Sequence, residues 1–250
     1  MDRRAALGAF GVLGGTFVLA SCKSSTTAGD DESTADAATS GDAAGSGACA
    51  STLEGEVGPY FADDSADGFA RSDITSNLDG SSVQTGIPLV LTIYIYDAQN
   101  NCAAYVGAQI DIWHCNATGV YSDIAAESTS TEQWLRGYQI TDSAGKVTFT
   151  TIVPGWYQGR TTHIHLRVRS SYDEAAGLSD GTNTTQLFFS QTLIDTIATT
   201  ISPYNSEGTN PTTNATDHVY SGETNGTNVL SITGDMSGYT ATLSIYLPIG

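Results

Sequence analysis

The stretch PGWYQGRTTHIH, Pro154 to His165, brings a phenol, a guanidinium and two imidazoles together within twelve positions. The 250-residue chain has only four histidines and nine Lys plus Arg, so scarce groups are concentrated here. In THIHLRVR (162–169) a period of two puts His163, His165, Arg167 and Arg169 on one strand face, and Ile164, Leu166 and Val168 on the other. An isolated H-x-H of this kind reads either as a solvated polar face or as a pair of imidazoles gripping one Fe, Cu or Zn ion. No Cys pair has zinc spacing, no H-E-x-x-H occurs, and no Asp or Glu lies near the pair. Tyr157 precedes His163 by six residues, and Tyr121 ends IDIWHCNATGVY after a Gly119 turn. A phenolate is a hard anionic ligand suited to ferric iron, provided the cation displaces a proton whose pKa is about 10. Taken singly, each of the chain's 12 tyrosines also reads as an interface-lining aromatic.

The elements that must position these groups are short strands. Leu89–Asp97, Ala108–His114, Lys146–Val153, Thr162–Arg169, Thr185–Ser190 and Tyr239–Pro248 alternate or are rich in β-branched and aromatic residues, with turn-forming residues between. Helical periodicity is confined to one short segment, 191–200. The pattern predicts an all-β fold, a β-sandwich core with a loop-borne metal site and little helix. His114 shares a strand face with Ile110 and Ile112 and reads as structural or pocket-rim, and His218 reads as a loop residue.

The segments IDIWHCNATGVYSD, RGYQITDSAGKVTFTTIVPGWYQGRTTHIHLRV and TTQLFF resemble the intradiol ring-cleaving catechol dioxygenases, the group of protocatechuate 3,4-dioxygenase and catechol 1,2-dioxygenase. The likeness runs from about GPYF (58–61) to the C-terminus and resembles exported, single-chain members most. It implies a non-haem Fe(III) cofactor held by Tyr121, Tyr157, His163 and His165. By the same likeness Tyr157 yields its place to substrate, Arg160 is the catalytic cation, and Gln186 and Tyr60 line the substrate site. The implied reaction uses O2 to cleave a catechol ring between its two hydroxyl-bearing carbons, giving a cis,cis-muconate-type dicarboxylate. The implied partners are a small aromatic diol and O2. Which catechol is used, and the oligomeric state, stay open at this point.

The rest of the chain bounds the setting. Residues 1–21 read as a signal peptide of lipoprotein type, with Arg3 and Arg4 suggesting the twin-arginine route and Leu19-Ala20-Ser21-Cys22 a lipobox that makes Cys22 the lipidated N-terminus. Residues 22–48, nearly all small and polar, read as a disordered tether, and 49–250 as the folded domain. The protein is thus expected outside the bacterial cytoplasmic membrane or on the outer membrane or cell surface, touching membrane through its anchor only. A formal charge of -18 argues against nucleic acid as a partner. Lipidation of Cys22 leaves Cys49, Cys102 and Cys115. The seven-residue strand between Cys102 and Cys115 spans roughly 23 Å, beyond the roughly 7 Å a disulfide allows. Family likeness places GPYF near the metal, so an extended arm from it carries Cys49 to the far end of the sheet, favouring Cys49–Cys102 with Cys115 a buried thiol. Two rival readings are a non-catalytic β-sandwich surface lipoprotein binding glycan or protein, and a copper or zinc carrier. The second is weakened by the scarcity of methionine, two in all.

Overall fold

The computed structural model describes residues 49–62, 68–169 and 181–249. The expected signal peptide and tether lie outside the described residues. Ten regular elements follow one another: β1 (Pro88–Asp97), β2 (Ala103–Ala104), β3 (Gln109–Trp113), β4 (Arg136–Ile140), β5 (Lys146–Ile152), β6 (His163–Arg169), β7 (Gly181–Phe188), α1 (Gln191–Thr200), β8 (Ser231–Asp235) and β9 (Gly238–Leu247). All six expected strands are present within a few residues of their predicted bounds, and α1 covers the segment read as a short helix.

Two sheets form the sandwich. In one, β9 lies between β1 and β8, and the other edge of β1 carries β5 and β2; the second sheet runs β4-β3-β6-β7. Their facing sides meet in one core, because alternation turns Leu89, Leu91, Ile93 and Ile95 of β1 inward against Ile110 and Ile112 of β3 and Ile164, Leu166 and Val168 of β6. Each of these side chains is buried, which contributes roughly 1.5–3 kcal/mol apiece as area removed from water. The helix α1 packs Ile194, Ile197 and Ala198, spaced as one helical face, onto the protein.

The outer face of the second sheet is where the fold departs from an ordinary sandwich. Antiparallel register aligns Trp113, His165 and Gln186 in one rung across β3, β6 and β7, and Asp111 with Arg167 in the next. Every residue of β3 and β6 is buried, polar ones included. The polar side of THIHLRVR is therefore no solvated face. It is covered by an extended arm, Thr52–Phe61, that has no strand of its own. The arm is fastened through Thr52 N–H to Tyr246 O (2.7 Å), Gly55 N–H to Thr184 O (2.9 Å) and Gln186 Nε2 to Glu56 O (3.0 Å). Phe61 seats its ring edge-on to Trp113 and under the Arg167 guanidinium, 5.3 Å from its centroid. Arg169 is held by Asp111 at 3.0 Å. A disulfide joins Cys49 to Cys102, with Cα atoms 6.1 Å apart, and Cys115 is a buried thiol.

Candidate metal and catalytic centre

Two loops and one strand converge under the arm. The first loop leaves β3 at Trp113 and turns at Asn116, whose side-chain oxygen accepts the N–H groups of Thr118 and Val120, both at 3.0 Å. That turn delivers Tyr121, fully buried. The second loop leaves β5 as Val153–Tyr157 and returns through Arg160 into β6. Gly119 makes the approach of the loops feasible: its φ is +84°, and a Cβ there would stand 2.2 Å from the Trp156 carbonyl oxygen. The strand β6 carries His163 and His165. The loops thus supply the tyrosines and the sheet supplies the histidines.

The structure brings all four expected ligands together. His163 Nε2 lies 3.1 Å from His165 Nε2 and 3.3 Å from Tyr157 Oη. The ring of Tyr121 lies edge-on to Tyr157 at 5.6 Å and to His165 at 6.1 Å. Tyr60, brought by the arm, stacks on Tyr121 at 4.4 Å and meets Tyr157 edge-on. Trp113 stacks on His165 at 4.7 Å and fixes its ring plane. Gly58, with φ +73°, lets the arm pass over that ring, where a Cβ would sit 3.1 Å from His165 Cε1.

These donors fit a metal ion. His163 Nδ1 faces the Thr161 carbonyl oxygen at 2.6 Å, so it carries the proton and leaves the Nε2 lone pair pointing at the shared point. Burial, with help from the Arg160 charge, lowers the His163 pKa to about 3; burial and the neighbouring His163 hold His165 well below its ordinary value. Both imidazoles are neutral and ready to donate. Tyr121 Oη is fully buried and makes no hydrogen bond of good geometry, an arrangement costing roughly 1–3 kcal/mol unless something else occupies its lone pair. Burial pushes the Tyr121 and Tyr157 phenols up from their usual value, with the charge of Arg160 opposing the shift at Tyr157. A bound cation would have to displace both phenolic protons.

Arg160 stands beside this cluster, with Nε 2.9 Å from Asp217 Oδ2, Nη1 3.4 Å from Glu56 Oε1, and Nη2 donating to Gln186 Oε1. Burial disfavours its charge, but the bonds to Asp217 outweigh that, and the guanidinium stays charged. Asp217 was invisible to sequence reasoning. It sits in TNATDHVY with no periodicity around it, yet it is fully buried and also accepts the N–H groups of Thr161, Val219 and Tyr220. Glu56 was missed for the same reason. His218 is a loop residue, as read; exposed like Glu223, it forms with Glu223 and the half-buried Glu56 a group whose ligand atoms lie within 4.8 Å of one another. His114 is buried in the core, bonded to Thr151 Oγ1 and Cys115 O at 2.8 Å each.

A family model described as dioxygenase matches residues 57–204, which include Tyr121, Tyr157, Arg160, His163, His165 and Gln186. The chain belongs to the intradiol ring-cleaving dioxygenase family. An intradiol ring-cleavage dioxygenase from Tetranychus urticae superposes with a TM-score of 0.68 at 25% identity, covering 81% of this chain and 97% of that one. The dioxygenase domain of a dioxygenase carbohydrate-binding protein fusion from Streptomyces sp. SirexAA-E gives 0.55 at 25% identity, over 80% of this chain and all of that one. Catechol 1,2-dioxygenase of Candida albicans is 29% identical in an alignment 132 residues long that covers 45% of this chain and 41% of that protein. This chain thus aligns with about two fifths of that curated relative.

Proposed function

We propose that this protein is a non-haem Fe(III)-dependent intradiol dioxygenase acting on a catechol-type diol with O2 to give a cis,cis-muconate-type dicarboxylate. The observation that carries the reading is the convergence of two neutral imidazole nitrogens with a fully buried phenol that makes no hydrogen bond of good geometry and a half-buried one. When bound, ferric iron would be held by Tyr121, Tyr157, His163 and His165, and would supply Lewis acidity that binds the diol oxygens and activates the ring toward O2.

The chain's own groups do the rest. Tyr157, half-buried at the mouth, is the phenol placed to exchange with substrate and to take up a proton at Oη as the diol ionises. Tyr121, sealed beneath Tyr60, stays in place. Arg160 presents a fixed positive charge where negative charge develops on the substrate, and Gln186, bonded to Arg160 and to the arm, sets its orientation. Tyr60, Trp113 and Phe61 exclude water around the imidazoles. The rival of a non-catalytic surface lipoprotein leaves this convergence unexplained. We further propose that the leader directs export and that Cys22 carries the lipid, which metabolic labelling with a tritiated fatty acid would register.

The test is oxygen uptake by the purified, iron-loaded protein with catechol. One O2 should be consumed per diol, and with labelled O2 both atoms should enter the ring-opened product. A preparation that binds iron at the four residues yet consumes no oxygen with any simple catechol would overturn the reading.

A further inference from the structure

The charge around the centre is lopsided. Each of the three nitrogens of Arg160 already faces a protein oxygen, from Asp217, Glu56 and Gln186. Two carboxylates therefore answer one guanidinium. Glu223 adds a third, its Oε2 accepting the Glu56 N–H at 2.6 Å. A cavity of about 510 Å³ opens against Tyr157, lined also by Thr118, Trp156, Gln158, Glu207 and Pro211. Among the described residues its single charged lining residue is Glu207. Among the described residues neither the Glu56 rim nor this cavity presents a Lys; the basic groups at the rim are Arg160, held by Asp217 and Glu56, and His218, whose Nε2 lies 3.3 Å from Glu56 Oε1.

A ring carboxylate entering such a site loses water and meets a single guanidinium whose charge two carboxylates already answer. A neutral ring loses nothing by the same route, and an ammonium substituent gains. We infer that this site selects its diol by charge: it takes neutral and amine-bearing catechols and turns away those with a carboxylate on the ring, with Glu56, Glu207 and Glu223 as the discriminating groups. The inference rests on the intradiol reading above and narrows its substrate class. A unit charge at ~7 Å, under an effective dielectric of roughly 40–80, changes binding by about three- to sevenfold. Reversing the ligand's charge near several carboxylates should therefore open a gap of at least about tenfold at low salt, which screening closes as ionic strength rises.

The experiment uses the iron-loaded full chain and two ligand sets. Binding is read by equilibrium dialysis with phenol, 4-hydroxybenzoate and 4-(2-aminoethyl)phenol, which lack the second hydroxyl and are not turned over. Turnover is read by oxygen uptake with the corresponding catechols. The amine-bearing phenol should bind at least about tenfold more tightly than the acid-bearing one, with phenol between them. Glu207→Gln and Glu223→Gln should each narrow the gap by about threefold, and so should salt at about 0.5 M. An acid-bearing phenol that binds as tightly as phenol overturns the inference, and so does a gap insensitive to salt and to both substitutions. If the order holds but no catechol consumes oxygen, charge selection stands and the intradiol reading falls. If no phenol binds, charge selection falls, and the intradiol reading falls with it only if no catechol consumes oxygen.

Discussion

Tyr121 and Asp217 show how differently two buried polar residues can be justified. Asp217 is satisfied on all sides, and its work is to aim Arg160 while tying Thr161, two residues before His163, to the loop of Val219 and Tyr220. It is a positioning residue. Asp217→Asn keeps the shape and removes the charge, and loss of a charge-assisted bond to a guanidinium costs roughly 1.5–3 kcal/mol. We expect iron content and visible spectrum to persist while kcat falls about tenfold or more at nearly unchanged KM. A variant that loses its iron instead would mark Asp217 as merely structural. Tyr121 is the opposite case, a fully buried hydroxyl without a hydrogen bond of good geometry. In the metal-free protein Tyr121→Phe should leave stability unchanged or raise it by about 1 kcal/mol, because an unsatisfied polar atom is removed without leaving a cavity. Iron binding by the same variant should weaken sharply. Denaturant melts of the metal-free form, paired with iron titration, read the two effects separately.

At the scale of elements, His114 links the exit of β3 to β5. Burial depresses its pKa to about 4, against an ordinary 6.5. The unfolded chain therefore holds the extra proton between these values, and stability is full above about pH 6.5 and declines as the pH falls toward 4, by on the order of 3 kcal/mol. His114→Gln should lower proton uptake on unfolding by about one in that window, as read from the pH dependence of the denaturation midpoint. What the sequence made legible follows the same physical divide. Strands such as Leu89–Asp97 announce themselves because one face is apolar and the other is not. Arg136–Ile140 (RGYQI) and Ser231–Asp235 (SITGD) escaped because the first packs Arg, Gly and Gln where apolar residues would signal, and the second is largely exposed. The H-x-H strand permitted two readings. What makes its polar side an interior, the arm Thr52–Phe61, is irregular and carries no period of its own. Tyr121, Tyr157, Arg160 and the two histidines were reachable from residue types, spacing and family likeness, while Asp217 and Glu56 come from segments whose meaning is wholly tertiary.

At the scale of the whole molecule, the arm is held at both ends. The disulfide ties its start at Cys49 to Cys102 beside β2, and the ring stack of Tyr60 on Tyr121 seats its far end over the site. Removing the cross-link with Cys102→Ser frees a loop closed across 53 positions, which the chain-entropy model values at roughly 4 kcal/mol. Because the arm also carries Glu56 and Tyr60, we expect KM for a catechol to rise along with the fall in melting temperature. An unchanged KM in the destabilised variant would show that the arm needs no staple.

The place of β9 has a consequence in time. It runs parallel to β1 in the interior of the five-stranded sheet, with Leu89 beside Tyr239, 150 positions later in the chain. Its Tyr246 also grips Thr52 of the arm from both directions, N–H to Oγ1 and carbonyl to N–H. A growing chain that has already emitted both tyrosines and both histidines still has one long edge of β1 bare and its arm without the Tyr246 bonds. Pairings of such wide separation form late. The ribosome must finish this protein before the tyrosine and histidine cluster can have its full roof.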